Sequence, residues 1–260
     1  RRRDFIAACE AGLAQAGIAD MVSPRFARSM AVLRGERAVF PQRPLRFFFA
    51  GLPTIEFFDP AMFEWVRALE ARAGDIRAEA KAILADREKL VPYVEGGDGP
   101  DAGASSIAGS RQWTAFFLRR DGALIEENAR QCPATMAAMA ALPRSAVDET
   151  TQSVLFSVIE PGAHIPAHNG MLNTRLICHL PVIAPAGCRL RVGGETREWR
   201  QDELMIFDDS IEHEAWNQGA ETRVVLLFDI WRPELSPEER AAVQAVLGSF
   251  DRFWGRRAAD

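Results

Sequence analysis

Between about residues 150 and 232 the chain is a series of short apolar runs, and this feature most limits what it can fold into. Segments 153–159, 175–183, 189–192, 196–200, 203–207 and 222–231 draw heavily on Val, Ile, Leu and Phe. Runs of that length and composition predict strands on a pleated, half-buried surface. Gly193-Gly194 lies between two of them and predicts a tight hairpin turn. Strands so short and so evenly spaced predict a sandwich or barrel.

Before residue 150 the apolar period is helical. Segment 4–35 is rich in Ala and places Phe5, Ile6, Cys9 and Leu13 at helical spacing. Residues 46–53 read as an extended piece that ends in a turn. Asp59-Pro60 predicts a helix start over 61–72, with Phe63, Val66 and Leu69 on one side. A second helical stretch is expected over 75–90, a loop over 95–110, a strand over 113–118 and a short helix over 133–142. Ser236 and Glu239 form a capping-box pattern for a closing helix over 236–250. Phe47, Phe48, Phe49 and Trp216 are read as core.

The expected fold is mainly β with α: a double-stranded β-helix (jelly roll, cupin-like) with supporting N-terminal helices. Residues 1–45 read as a helical segment of the kind that ends an upstream region. Residues 46–260 read as one domain with its jelly-roll core at about 150–232.

Composition excludes several classes. The formal charge of −5 argues against a partner held by phosphate contacts, so no nucleic acid is expected. The four cysteines form no CxxC pair, which argues against structural zinc and a disulfide framework. A reducing cytoplasm is therefore the expected, cytoplasmic location. No apolar run approaches the ~20 residues of a membrane helix, so no membrane segment is expected.

All four histidines, His164, His168, His179 and His213, fall in the β-rich half. Histidine is the commonest transition-metal ligand. His168 sits in the turn-rich piece Pro161-Gly162-Ala163-His164-Ile165-Pro166-Ala167-His168-Asn169-Gly170. His213 sits in Phe207-Asp208-Asp209-Ser210-Ile211-Glu212-His213, where another strand is expected to end. A jelly roll gathers strand ends at its mouth, so two distant histidines can share one ion.

Ten residues beyond His213, Arg223 opens an apolar strand. A buried arginine is costly unless it meets an anion, and its planar fork suits a carboxylate. A metal-bound His followed by such an Arg is the layout expected of a 2-oxoglutarate site. The usual position of a third, carboxylate ligand is two residues after the first His, and here it is Gly170. Two readings stay open. The favoured one has two protein ligands with water completing the shell; in the other, Asp208, Asp209, Glu212 or Glu214 supplies the third.

The stretch 157–233 resembles the aspartyl/asparaginyl β-hydroxylase family. The matching pieces are Phe156-Ser157, Pro161-Gly162, Pro166-Ala167-His168, Asn173, Arg175, His179, Phe207-Asp208-Asp209-Ser210, Glu212-His213-Glu214-Ala215-Trp216, and Phe228-Asp229-Ile230-Trp231 with Pro233. Weaker similarity reaches back to Gly51-Leu52-Pro53, Trp113, Glu127-Asn128 and Cys132-Pro133-Ala134-Thr135.

The resemblance implies a jelly-roll dioxygenase that uses Fe(II), 2-oxoglutarate and O2 to hydroxylate an unactivated C–H bond. By position, His168 and His213 would bind iron. Arg223 and Ser157 would hold the far carboxylate of 2-oxoglutarate, His179 would contact the carboxylate beside the keto group, and Trp113 would line the pocket. Where the animal enzymes carry an arginine two residues before His179, this chain has Ile177; Arg175 is the residue that could compensate. The expected substrate is an aspartyl/asparaginyl-type residue or an amino-acid-like molecule. The alternatives are a lipid or small-molecule hydroxylase, a halogenase, and a non-catalytic jelly-roll binding module. Partners are thus a peptide or small-molecule substrate.

Overall fold

The computed structural model describes residues 1–18, 23–94, 109–148 and 152–257. Most of the loop expected over 95–110 lies outside the described residues. The chain divides into two compact units, Arg1–Pro41 and Gln42–Asp260.

The first unit holds helices α1 (Arg2–Gln15) and α2 (Pro24–Arg34). Ser23 caps α2 by accepting from the Phe26 N–H at 3.2 Å, and Pro24 sits in its first turn. Gly35 ends it at φ +77°, a conformation that a side chain would strain. Neither helix has a buried residue.

The second unit runs β1 (Phe57–Phe58), α3 (Val66–Glu70), α4 (Ala73–Leu84), β2 (Val91–Pro92), β3 (Trp113–Arg120), β4 (Ala123–Leu124), α5 (Glu126–Gln131) and α6 (Pro133–Ala140). It continues with β5 (Val154–Ile159), β6 (His164–His168), β7 (Arg175–Ile183), β8 (Cys188–Val192), β9 (Glu195–Glu198), β10 (Met205–Phe207), β11 (His213–Asn217), β12 (Arg223–Trp231) and α7 (Pro237–Arg257).

The strands form two antiparallel sheets. The larger runs β1-β10-β7-β12-β5-β3-β2, with β4 on β3; the smaller runs β6-β11-β8-β9. This is the expected double-stranded β-helix. The larger sheet also recruits strands from before residue 150, with β3 beside β5.

Register decides which side chains face which layer, because they alternate along a strand. Phe116, Phe156, Leu226, Leu180 and their alternates share the outer face. There they form one core with Val66, Leu69, Ile76, Ala80 and Ile83 of α3 and α4. The opposite face carries Trp113, Ser157, Arg223 and His179. Trp113 and Arg223 both pair with Ile159, Ser157 pairs with Val225, and His179 pairs with Leu227. The helices therefore support the larger sheet from behind and leave its polar face to the site.

Several sequence expectations need correction. The helix expected over 61–72 is a 3-10 turn at Pro60–Met62 followed by the short α3. The helix expected over 75–90 stops at Leu84. Phe48 is 56% exposed, while Phe47 and Phe49 pack on the Trp231–Leu235 cluster as expected. Trp216 is not core but lies partly exposed against His164. The Ser236 cap forms as expected, with Glu239 N–H donating to Ser236 Oγ and Ser236 N–H to Glu239 Oε2.

Candidate active site

The piece around His168 is not only turn: it forms β6, and His168 is its last residue. In the piece that carries His213, β10 ends at Phe207 as expected, and His213 itself opens β11. The two histidines face each other as register partners across the β6–β11 ladder, their ring centroids 4.1 Å apart. A ladder irregularity between His213 and Ala215 sets the local aim of β11.

Both imidazoles are held the same way. His168 Nδ1 lies 2.7 Å from the Pro166 carbonyl, and His213 Nδ1 lies 3.1 Å from the Ile211 carbonyl. A carbonyl only accepts, so each Nδ1 carries the proton and each Nε2 keeps a free lone pair. Burial pushes both rings toward the neutral form. His213 falls to about 3, helped by His168, and His168 also drops below its usual value. Neutral imidazole with Nε2 free is the metal-binding form.

Among the described residues no group of three or more His, Cys, Asp or Glu side chains could hold a metal. The acidic candidates are engaged elsewhere or blocked. Asp208 pairs with Arg232 at 2.7 Å and accepts from Gln42 and Ser210. Glu212 and Glu214 both pair with Arg191, and Glu214 also bonds His164 Nε2 at 3.0 Å. The Asp209 carboxyl lies against Gly170, where a Cβ would come within 1.9 Å of Asp209 Oδ2. Gly170 is therefore required by Asp209, and the space that a carboxylate ligand from position 170 would enter is already filled. This donor set fits a two-histidine metal site.

The remaining residues close a circuit. The Trp113 ring lies 6.2 Å from His168, and its Nε1–H donates to Ser157 Oγ at 3.1 Å. Arg223 donates to the Ser157 carbonyl at 3.3 Å and stacks over Trp199 at 4.5 Å. Trp199 is 5.8 Å from His179, His179 is 5.0 Å from Phe207, and Phe207 is 5.7 Å from His213.

Arg223 is 1% exposed, and among the described residues it has no carboxylate partner. Its Nε has no hydrogen-bond partner at all. Burial pulls its pKa down to about 9. A cation this deep is held at a cost of several kcal/mol unless an anion joins it. His179 Nδ1 is likewise buried without a partner, and burial together with the Arg223 charge keeps the ring neutral.

Of the residues singled out in the sequence, Trp113, Ser157, His168, His179, His213 and Arg223 are brought together here. Arg175 is not in the circuit: it pairs with Asp229 at 3.1 Å and Asp148 at 3.3 Å, beside Trp231. Sequence reasoning missed Trp199, Phe207 and Tyr93, the last stacked on Trp113 at 4.0 Å. Trp199 left one signal, as the single large apolar residue in the polar run 195–203.

The sequence profile described as aspartyl/asparaginyl β-hydroxylase matches residues 70–233. The chain is 34% identical over 192 residues to an ornithine lipid ester-linked acyl 2-hydroxylase of Rhizobium tropici, covering 73% of this chain and 65% of that one. It is 31% identical over 209 residues to the human aspartate β-hydroxylase domain-containing protein 2, covering 79% of this chain and 55% of that one. Identity to the human aspartyl/asparaginyl β-hydroxylase is 31% over 186 residues, 70% of this chain and 23% of that one. The chain thus spans less than two thirds of the length of each. A hydroxylase-family profile over most of the folded unit, on a jelly roll with a paired-histidine mouth, places the chain in the aspartyl/asparaginyl β-hydroxylase family.

Proposed function

We propose that the protein is an Fe(II)- and 2-oxoglutarate-dependent dioxygenase that hydroxylates an unactivated C–H bond. The observation that carries this reading is Arg223: a buried guanidinium with no carboxylate partner among the described residues, in one circuit with two neutral histidines that share a mouth. His168 and His213 would hold the iron through Nε2. Arg223, with Ser157 and Trp113 beside it, would take the far carboxylate of a diacid, and His179 would meet the near one. The metal, once bound with 2-oxoglutarate and O2, supplies the oxidising chemistry; the protein orients the groups and excludes water.

The substrate reading rests on Ile177 and Arg175. An aspartyl or asparaginyl substrate, or another amino-acid-like acid, calls for a cation near the iron. Ile177 is apolar, and its register partners are Phe207 and Asp229. Arg175 is committed to Asp148 and Asp229, so it is poorly placed to compensate. These features favour the alternative substrate, an acyl chain or other uncharged small molecule, and the ornithine-lipid hydroxylase relative supports it. Action in the cytoplasm on such a molecule, without nucleic acid, belongs to the same proposal. Among the described residues no helix is long and apolar enough to cross a membrane.

Anaerobic addition of Fe(II) and 2-oxoglutarate should produce a weak visible charge-transfer band. The band should disappear in His213→Ala. Arg223→Ala should raise the 2-oxoglutarate requirement steeply, because truncating one partner of a buried charge pair costs ~2–5 kcal/mol. A wild-type protein that takes up metal but no 2-oxoglutarate would remove the proposal.

A further inference from the structure

We infer that Trp199 is a binding residue for the diacid, forming the floor between the groups that receive its two ends. This inference rests on the oxygenase reading above and names a residue that reading does not use.

Trp199 follows β9 and is 4% exposed. Its backbone N–H donates to the Cys188 carbonyl at 3.2 Å, which ties the residue to the start of β8. The side chain meets the larger sheet at two points: under the Arg223 guanidinium at 4.5 Å and beside His179 at 5.8 Å. These are the two residues assigned to opposite ends of the diacid, so one indole spans the distance between them.

The polar atoms reinforce the geometry. Trp199 Nε1, Arg223 Nε and His179 Nδ1 are all buried without a hydrogen-bond partner. A native interior rarely leaves such groups unpaired, and a single orphan has many explanations. Here three orphans lie on Trp199 and the two residues that it touches, and an anionic ligand among them would satisfy all three. An indole N–H can only donate, and a carboxylate can only accept.

Stacking gives Trp199 a second effect. Among the described residues Arg223 donates one hydrogen bond, to the Ser157 carbonyl, so little else fixes the plane of its fork. The indole face holds that plane by cation–π contact and leaves the edge of the fork for a two-point carboxylate grip.

The test is calorimetric titration of Mn(II)-loaded protein under nitrogen, with 2-oxoglutarate and with 2-oxopentanoate, which lacks the far carboxylate. Trp199→Phe keeps a stacking ring but removes the N–H. Losing a hydrogen bond to a charged group should weaken 2-oxoglutarate binding about tenfold. Binding of 2-oxopentanoate and of Mn(II) should be unchanged, so the diacid preference narrows. Trp199→Leu, which also loses the stack, should weaken 2-oxoglutarate further.

Unchanged 2-oxoglutarate affinity in Trp199→Phe overturns the inference, as does an equal loss for both acids, which would mark a merely structural role. If the variants fail to fold, wild-type protein labelled with 15N at the indoles answers the same question. The indole N–H signal of Trp199 should move when 2-oxoglutarate is added to Zn(II)-loaded protein, and an unmoved Trp199 signal overturns the inference. Failure of wild-type protein to bind 2-oxoglutarate overturns the oxygenase reading itself, a result distinct from wild-type binding with an indifferent Trp199→Phe.

Discussion

Gly170 and Asp209 show how one residue sets the options of another. Because a Cβ at 170 would sit 1.9 Å from Asp209 Oδ2, Gly170→Ala forces the Asp209 carboxyl to swing. The expected cost is ~1–3 kcal/mol of stability, the usual range for overpacking, read as a lowered denaturant midpoint at unchanged slope. A variant as stable as wild type would show that Asp209 has room to move. The histidines give a pH dependence whose sign follows from burial. His168, His179 and His213 all have pKa values below the ordinary histidine value, His213 at about 3. The unfolded chain therefore binds protons below about pH 6.5 that the folded metal-free protein refuses. This stability is fully present above pH 6.5 and is lost as pH falls toward 3. Buried Asp209 and Asp229 have raised pKa values and act in the opposite sense, so the histidine part is read by difference. His213→Asn should flatten the acid limb by up to ~1.4 kcal/mol per pH unit, the one-proton slope; an identical limb would contradict the assignment.

At the scale of elements, the site depends on a strap from outside the core strands. Residues 42–53 cross the turn after His168 and the turn before His213. Arg43 N–H donates to the Ser210 carbonyl at 2.7 Å, Leu45 N–H to Gly170 at 3.0 Å and Arg46 N–H to Met171 at 3.0 Å. Asn173 pins the strap by accepting from Phe49 N–H at 2.7 Å and donating to Gln42 at 3.0 Å, while Gln42 donates to Asp208 at 2.6 Å. Asn173→Ala leaves several of these groups unpaired and should cost ~1–3 kcal/mol, with weaker metal binding by titration. Unaltered metal affinity would confine the strap to a structural role.

Legibility followed the strength of the apolar signal. The strand 175–183 was readable end to end, because β7 is apolar along most of its length and buried at six of its nine residues. The strand carrying His168 was not, because its sequence His-Ile-Pro-Ala-His leaves only Ile165 buried and looks like a turn. The turn before His213 is held by Asp208, whose Oδ1 accepts from Ser210 N–H at 3.0 Å. Arg175 looked like a site residue from its position alone; its carboxylate partners, Asp148 and Asp229, lie 27 and 54 positions away in the chain. Trp199 and Phe207 enter the circuit only through tertiary packing between the sheets. The lone apolar position of Trp199 in a polar run marks the residue but not what it packs against.

At the scale of the molecule, the two sheets share no paired strands among the described residues. Their mouth is closed by side chains: Trp113, Ser157, His179, Phe207 and Arg223 from one sheet, and His168 and His213 from the other. Metal and diacid together should therefore stabilise the fold. A ligand at a hundred times its dissociation constant adds ~2.7 kcal/mol, which a melting experiment on metal-loaded protein with and without 2-oxoglutarate would detect. No shift at saturating concentrations would mean that the diacid does not bind the folded state.

The layered support has one more consequence. The apolar slab behind the larger sheet stays whatever the mouth contains, so emptying the protein should loosen it like a clam whose hinge is welded and whose lips are merely latched. Amide exchange in the empty protein should quicken first along β6 and β11, while β12, buried along its whole length, stays slow.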